Sequence, residues 1–488
     1  MDNFLGSLNH SSLCNTVFLR QLCALVGDRH LCNSLDCLKT SEGQAALFWW
    51  EQNQHQLEAI ASSSDRVNLE PGSSTERQTK ERIIKHPISA QQQTIQTPDN
   101  REIAFPQWVQ QEQNPQNVFN WLWRMMPELR RQQDSDALLD PQHYILPDCP
   151  IHSYRATVSA IAGAVDFDER GIVTQYPYLL LFTFSPIQDF IKASRKFLDF
   201  WAGSYLLHYL SAQLCWFVAE TYGVDAVITP SLWGQEIIDA LLLKTYPIFR
   251  ESFQELSPDG TDPLTRFKDR LSTTLATAGF PNTITILVGS SETAQQLGET
   301  LCEKLRSEWI AIAQNIREGI PDHPIPELRQ GIRDRTIAFL QNPQNHKRIE
   351  KILEEFSQSG GHDEQNRHDL ENWKRKSCWE WRGLWNAQID QTWQPYWTAV
   401  PLGDPNTSLM IEKNDDDQLS EDWIKKPEKV AQTRVNNHPP TTAEKMLYTT
   451  LNNGTWWGSI QSRCGQAIQA IKNTITWAIP ISPGVRST

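Results

Sequence analysis

Four residues near one predicted strand end are of types that could bind a nucleotide. Ser185 stands before a proline at a predicted helix start, where free backbone N–H groups and the helix dipole favour an anion such as phosphate. Gly203 would let a ligand approach the backbone closely, and Ser204 offers a hydroxyl group. Trp201 could stack on a base, but its place on an apolar stripe favours packing in the core. These residues form one candidate binding site, with no catalytic residue and no metal ligand among them.

Three basic residues fall on the polar side of the same predicted helix. Lys192, Arg195 and Lys196 could contact RNA phosphate groups or an acidic partner protein. Arg195 also stands four residues before Asp199, a spacing that favours an ion pair in solvent. A binding face and a solvated face therefore remain alternatives for these three residues.

The pattern of apolar side chains indicates the strand and helix that would position these groups. Residues 178–184 form an apolar run without charge, which predicts a strand buried on both faces. The four residues that follow, S-P-I-Q, have the composition of a capping box with proline at the first helical position. Helical spacing predicts one helix over 187–222, interrupted at Gly203 and Ser204. Its apolar stripe comprises Ile187, Phe190, Ile191, Phe197, Leu198 and Trp201.

The elements that follow predict an α+β domain. Strands are predicted at 226–230 and 283–288, and helices at 235–246 and 291–318. With the first strand and helix, this order gives most of a β-α-β-β-α unit, the ferredoxin-like or palm arrangement with helical insertions. The tryptophan-rich stretch 326–400 is predicted to be helical and to serve in packing.

Shifts in composition divide the chain into predicted segments. Polar, charge-rich stretches are typical of linkers, and apolar periodic stretches are typical of folded parts. The segments are a helical region 1–61, a polar linker 62–117, a helical segment 118–177, a first palm domain 178–320, a tryptophan-rich helical insertion 321–401, a polar linker 402–445 and a C-terminal segment 446–488 that returns to the palm. Within the third segment, Pro127 is expected to end a helix that begins at Val118.

Composition excludes some classes of protein. A net charge of −13 over 488 residues argues against a general nucleic-acid coat, although it allows a local basic groove. The nine cysteines form no Cys-x-x-Cys pair, so no zinc site is predicted, and reduced thiols fit the cytoplasm. No secretory signal is visible. The apolar stretch 202–219 contains His208 and Gln213, which indicates a buried helix and no membrane contact.

Several stretches resemble the motifs of one known family. S-P-I-Q-D-F-I and D-F-W-A-G-S-Y-L-L, within 181–210, resemble the pattern G-P-V-Q-x-F-I…A-R-K…D-L-W-x-G-S-Y-L-L. That pattern is found in the large, polymerase/cyclase-like subunit of type III-B CRISPR RNA-guided effector complexes. The strings A-T-V-S-A-I-A-G-A-V, A-G-F-P-N and K-N-T-I-T-W-A-I-P-I-S-P-G-V-R-S-T are similar to further family motifs, with Ile475 and Val485 in place of arginine and glutamate. The resemblance covers roughly residues 146–488 and is strongest at 181–210.

The resemblance implies a first palm preceded by an HD-type region, in which a His-Asp pair and other histidines hold a divalent metal for nuclease work. Residues 1–170 contain no His-Asp dipeptide, and Tyr154 stands about where the family segment has its histidine. We therefore expect a degenerate, structural version of that region. The histidines present there are His10, His30, His55, His86, His143 and His152.

Cyclic oligoadenylate synthesis in this family uses a Gly-Gly-Asp-Asp turn whose aspartates hold metal ions. This sequence has no such turn, and the near matches at 360–363, 368–369 and 415–417 are interpreted as polar stretches without a catalytic role. The resemblance thus implies ATP and a divalent metal, Mg²⁺ or Mn²⁺, only for a complete subunit with two palms. In full-length relatives a zinc element and a second palm follow, whereas this sequence ends at Thr488.

Three functions remain as hypotheses. The preferred one is a scaffold and first palm of a nucleotide-binding cleft in RNA-guided antiviral defence, with other type III-B effector subunits, guide RNA, target RNA and ATP as expected partners. The second is half of a cyclic oligoadenylate synthase completed by a separately encoded second palm. A neighbouring reading frame containing Gly-Gly-Asp-Asp would favour it. The third, an autonomous HD-type nuclease, is disfavoured by the missing His-Asp pair.

Overall fold

The computed structural model describes residues 10–62, 81–85, 89, 91–96, 103–140, 142, 149–168, 173–257, 259–269, 279–318, 338, 342–345, 347, 351, 388–402 and 456–474. The chain combines helices with β-sheet, which confirms the predicted α+β class. The predictions made for 360–363, 368–369 and 415–417 lie outside the described residues.

The secondary structure elements are numbered in chain order. The helices are α1 (His10–Val26), α2 (Arg29–Asn33), α3 (Ser41–Ser62), α4 (Gln107–Gln111), α5 (Pro115–Gln133), α6 (Ile151–Ala164), α7 (Gln188–Lys192), α8 (Phe197–Tyr222), α9 (Glu236–Thr245), α10 (Arg250–Leu256), α11 (Pro263–Lys268), α12 (Ser291–Glu318) and α13 (Trp456–Thr474). The strands are β1 (Glu81–Lys85), β2 (Gln92–Gln96), β3 (Asp166–Phe167), β4 (Val173–Gln175), β5 (Tyr178–Ser185), β6 (Val227–Thr229), β7 (Thr283–Val288) and β8 (Gln394–Pro401).

The chain divides into two compact units. The first unit comprises residues 1–183, 207–298 and 397–469, and the second comprises 184–206, 299–396 and 470–488. The predicted linker 62–117 contains the antiparallel hairpin of β1 and β2, as well as α4. Among the described helices, none has the length and apolar character needed to cross a membrane.

A helical layer forms one part of the first unit. Helix α1 packs against α3, α5 and α6. At its centre the rings of Phe18 and Phe119 lie 5.7 Å apart, and both side chains are fully buried. Trp121 is also buried, and its indole Nε1 donates to the Ser252 hydroxyl at 3.0 Å. Apolar burial of this kind is the main stabilising term for such a layer.

A four-stranded sheet of order β6-β7-β5-β8 accounts for the predicted strands. Strand β5 runs antiparallel to β7, with Tyr178 opposite Val288 and Thr183 opposite Thr283. Strand β6 is also antiparallel to β7. The interior residues of β5 are buried on both faces, as the uncharged run predicted. The strands predicted at 178–184 and 283–288 are therefore confirmed, and they are neighbours in one sheet.

The buried part of α8 is tied to the start of β7 by a histidine. His208 is 4% exposed, and its Nδ1 accepts hydrogen bonds from the backbone N–H groups of Gly279 and Phe280, both at 3.0 Å. Burial lowers the pKa of His208, which keeps the imidazole neutral and able to accept at Nδ1. His208 therefore positions the chain segment that enters β7.

Helices α9 and α12 confirm the helices predicted at 235–246 and 291–318, and β6 confirms the short strand predicted at 226–230. The predicted end of a helix at Pro127 is wrong, because α5 continues through this residue to Gln133. Pro127 removes one backbone hydrogen bond, but it is buried with most of the helix before it, so packing outweighs the local preference.

The helical structure predicted over 326–400 is wrong near its end, where residues 394–401 form strand β8 at the edge of the sheet. Its sequence Q-P-Y-W-T-A-V-P is rich in aromatic and β-branched residues, which suit a strand. Pro395 is tolerated because an edge strand leaves some N–H groups without a sheet partner. A high density of tryptophan residues does not distinguish a packed helix from a strand.

We expect Gly298→Ala to destabilise the first unit by about 1–3 kcal/mol, since overpacking of a filled site costs this much. Gly298 lies in α12, and a methyl group there would overlap the Trp397 ring at Cδ2. Urea-induced unfolding followed by circular dichroism measures the change. Gly465→Ala in α13 is the matched control, because nothing lies within 4 Å of its added methyl group. The control should be neutral or stabilising by up to about 1 kcal/mol, and equal effects of the two changes would contradict the prediction.

Candidate functional site

The predicted capping box at the end of β5 is wrong. Ser185 is the last residue of the strand and is half-buried, and the Ser185–Pro186 peptide bond is cis. Helix α7 begins only at Gln188, and its N-cap is Ile187, with no side-chain cap hydrogen bond. Ser185 therefore belongs to the sheet rather than to the helix start. Its predicted role in binding an anion would have to use the hydroxyl group itself.

Helix α7 is anchored by an aromatic cluster of the second unit, which comprises Phe184, Phe190, Trp309 and Trp393. The Phe190 ring lies 4.8 Å from the Trp393 ring and 5.8 Å from the Trp309 ring. Trp393 also contacts Trp309 at 5.4 Å and Phe184 at 5.5 Å, both edge to face. Such ring pairs add stabilisation beyond apolar burial. The cluster fixes the position of the short helix that carries Lys192.

The single helix predicted over 187–222 is wrong, because residues 193–196 separate α7 from α8. Lys192, Arg195 and Lys196 are all exposed, and the last two lie in this break. Arg195 and Asp199 are consequently not one turn apart on a continuous helix. No described residue forms an ion pair with any of the three cations. Their charges are available to a ligand or to solvent.

The first turns of α8 expose large apolar side chains. Phe197 is 84% exposed, Leu198 70% and Trp201 43%, which corrects their predicted place in the core. Phe200, which was not on the predicted stripe, is 49% exposed. Trp201 stacks on Tyr205 with ring centroids 5.5 Å apart and an interplanar angle of 15°. Tyr205 thereby covers one face of the Trp201 ring, which follows Arg195 and Lys196 closely in the chain.

Gly203 does not interrupt α8, and the predicted break at Gly203 and Ser204 is wrong. Gly203 is buried, and a methyl group there would lie 3.6 Å from Phe190 Cε1, an ordinary contact. Ser204 is half-buried on the next helical position. Their roles toward a ligand stay predictions.

Residues 184–206 of the second unit thus hold all seven predicted site residues, together with exposed apolar groups that sequence reasoning placed in the core. Residues 185–205 include three basic and two acidic residues, a net charge of +1 in a chain of net charge −13. Burial raises the pKa of Tyr205, so its hydroxyl stays neutral. The string K-F-L-D-F-W could have indicated these exposed apolar side chains, because its apolar residues fall on more than one side of a helix and cannot all face one core.

The described residues offer no group of three His, Cys, Asp or Glu side chains that could hold a metal ion. Besides the carboxylates of Asp189 and Asp199, residues 185–205 offer hydroxyl, ammonium, guanidinium and indole groups, which suit contacts to phosphate and to a base.

Three strands of the four-stranded sheet and the exposed segment lie in a part of the chain that matches a known family. Residues 179–314 match CRISPR-associated protein Cmr2, N-terminal. The resemblance to the type III-B large subunit is confirmed for these residues. The Cmr2 N-terminal match includes β5, the cation-rich break, α8, the strands β6 and β7, and most of α12.

Two solved structures are similar to the chain at low identity. One is the cryo-EM structure of the apo state of a type III-B Cmr-beta complex, with 14% identity, a TM-score of 0.42, and coverage of 97% of this chain and 41% of that chain. The other is Cmr-beta bound to cognate target RNA, with 15% identity, a TM-score of 0.42, and coverage of 81% of this chain and 37% of that chain. The chain thus spans less than half the length of either. A search of curated proteins gave no match.

Proposed function

We propose that the chain is the N-terminal part of the large subunit of a type III-B CRISPR effector complex. In RNA-guided antiviral defence it would serve as a scaffold and as the first palm of a nucleotide-binding cleft. The observation that carries the proposal is the Cmr2 N-terminal match over 179–314, because the matched residues include the exposed cation-rich segment. Other effector subunits, guide RNA and target RNA are the proposed partners.

The topology of the sheet supports a palm of the ferredoxin-like type. The elements β5, α8, β6, β7, α12 and β8 follow one another in a β-α-β-β-α-β order. In the sheet the strands lie in the order β6-β7-β5-β8, and β7 is antiparallel to both β5 and β6. A ferredoxin-like unit has this order of strands. Edge strand β8 is the fourth strand of this unit, which the sequence pattern did not predict.

The exposed segment 185–205 has the groups needed for a nucleotide. Lys192, Arg195 and Lys196 would contact phosphate oxygens through charge-assisted hydrogen bonds. Trp201, held by its stack on Tyr205, would receive a base on its free face. Ser204 and Ser185 would supply hydroxyl contacts to ribose or phosphate. ATP is the proposed ligand, and a divalent metal would come only with a second palm.

ATP binding to the purified chain tests this surface. We expect Arg195→Ala/Lys196→Ala to weaken ATP affinity at least about tenfold, since each charge-assisted hydrogen bond contributes about 1.5–3 kcal/mol. Trp201→Ala should weaken it about fivefold or more through lost stacking. Isothermal titration calorimetry gives both affinities.

Lys244→Ala/Lys268→Ala removes the same number of exposed cations outside the segment and is the matched control. It should leave ATP affinity within about twofold, apart from a small salt-dependent change. Equal losses in the two double variants would show non-specific attraction and would refute a defined site. A neighbouring reading frame with a second palm would extend the proposal to half of a cyclase.

A further inference from the structure

Three aromatic side chains in the first turns of α8 are exposed. Phe197 is 84% exposed, Phe200 49% and Trp201 43%. Residues three and four apart on a helix are neighbours, so these three rings lie on one side of α8. Single exposed apolar residues are common on protein surfaces, whereas neighbouring ones indicate an interaction site.

Two cations come directly before these rings in the chain. Arg195 and Lys196 are exposed and lie in the break between α7 and α8. The backbone N–H of Phe200 donates to the Lys196 carbonyl oxygen at 3.1 Å, which joins the break to the first turn of α8. Lys192, the last residue of α7, is also exposed and stands five positions before Phe197. Exposed rings and exposed cations therefore belong to one short surface segment.

The two carboxylates of this segment have positions that stabilise its helices. Asp189 is in the first turn of α7, and Asp199 is in the first turn of α8. A negative charge at either place is favoured by the helix dipole. Arg195 and Lys196 lie outside both helices, and neither pairs with a carboxylate in the described ranges. Their charges thus have no partner within the described chain.

We propose that this segment binds single-stranded RNA. Bases would stack on the rings of Phe197 and Phe200. Phosphate groups of the strand would pair with Lys192, Arg195 and Lys196. The proposal rests on RNA as a proposed partner of the chain, and it adds the place and the mode of binding.

The kinds of side chain in the segment favour RNA over a partner protein. Three of the four large apolar side chains exposed at the start of α8 are aromatic. Aromatic rings combined with cations bind single strands without sequence preference, because every base has a face that can stack. The chain as a whole has a net charge of −13 and repels a polyanion, so a strand would be attracted to a positive segment such as this one.

Fluorescence anisotropy with a labelled ten-nucleotide oligouridylate tests the proposal. We expect Phe197→Ala/Phe200→Ala to weaken RNA binding at least about tenfold through lost stacking. The salt dependence of binding should stay the same, because no charge is removed. Phe48→Ala/Phe267→Ala is the matched control, since it removes two phenylalanines outside the segment that are 61% and 55% exposed. The control should bind RNA within about twofold of the wild type.

The contribution of charge is measured separately. Lys192→Ala/Arg195→Ala/Lys196→Ala should reduce the slope of log affinity against log salt concentration by about 2, the value for three phosphate contacts to a single strand. A ribose-phosphate strand of equal length without bases should bind the wild type at least about tenfold more weakly. Equal binding of the two strands, equal affinities of the two phenylalanine double variants, or no binding of oligouridylate would overturn the proposal.

ATP affinity separates this proposal from the nucleotide site. The Phe197→Ala/Phe200→Ala variant should bind ATP within about twofold of the wild type, because Trp201 is the residue proposed to receive the adenine base. The expected RNA results without ATP binding would refute the nucleotide site alone. ATP binding as proposed, with an RNA affinity that the phenylalanine variant leaves unchanged, would refute the RNA surface alone.

Discussion

Asp239→Leu is expected to lower the free energy of unfolding of the first unit by about 3–5 kcal/mol, the cost of removing one partner of a buried ion pair. Arg124 donates to both carboxylate oxygens of Asp239, at 2.7 and 2.8 Å, and to Glu128 Oε1 at 3.2 Å. The side chains of Arg124 and Asp239 are 11% and 6% exposed. Burial lowers the pKa of Arg124, but the charge and hydrogen bonds of Asp239 raise it by more than burial lowers it. The guanidinium therefore stays charged. Removing Asp239 would leave that charge with only one carboxylate.

Urea titration followed by circular dichroism measures this loss, and two variants separate its cause. Arg124→Met/Asp239→Leu removes both charges and should recover most of the stability, since apolar replacements of buried ion pairs are often neutral. Asp36→Asn breaks the exposed pair with Lys39, also at 2.7 Å, and should cost less than about 1 kcal/mol. A double variant as unstable as the single one would show that the arginine matters for packing rather than for charge.

Asp225→Asn should stabilise the unliganded chain at pH 8 by up to about 4 kcal/mol, a gain that disappears near pH 4. Burial raises the pKa of Asp225 from 3.8 to about 7. Between these values the folded protein binds more protons at this residue than the unfolded chain does. The contribution of Asp225 to stability is therefore full below about pH 4 and is lost as the pH rises to about 7. Asparagine keeps the acceptor for Gln21 and has no proton to lose.

The measurement must compare the two proteins at each pH, because His152, whose pKa is lowered, acts in the opposite direction. Burial, then Arg130, lowers the pKa of His152 from 6.5 to about 4, so its contribution to stability grows as the pH rises over that range. Arg155 is paired with Glu58 at 3.2 Å and adds no unpaired charge. Subtracting the variant from the wild type at pH 4.5, 6 and 7.5 isolates Asp225. A difference independent of pH would refute the assignment, and exposed Asp199→Asn should change stability little at any pH.

A carboxylate at residue 225 costs stability in the free protein, whereas an amide of the same shape does not. A buried residue that lowers the stability of the free protein is a candidate for a functional role.

The sequence by itself determined the elements that are long, periodic and buried. The uncharged run at 178–184 and the short uncharged stretch at 283–288 predicted two strands, and the apolar stripe over 291–318 predicted α12. The motifs within 181–210 also indicated the family that the comparison then matched. In these stretches local pattern and tertiary environment agree, so the pattern was sufficient.

Only the tertiary structure decided which apolar residues are covered and which distant groups meet. Phe197 and Trp201 carry the same apolar signal as buried residues, yet Phe197 is 84% exposed, and Trp201 is 43% exposed even though Tyr205 stacks on one face of its ring. Strand β8 is defined by its place beside β5, which is more than 200 residues earlier in the chain. Gln21 and Asp225 are 204 positions apart, and Arg124 and Asp239 are 115 apart. The spacing of apolar residues indicates whether a side chain favours a buried or an exposed position. Its actual burial and pairing depend on which distant parts of the chain the fold brings together, and short-range spacing does not contain that information.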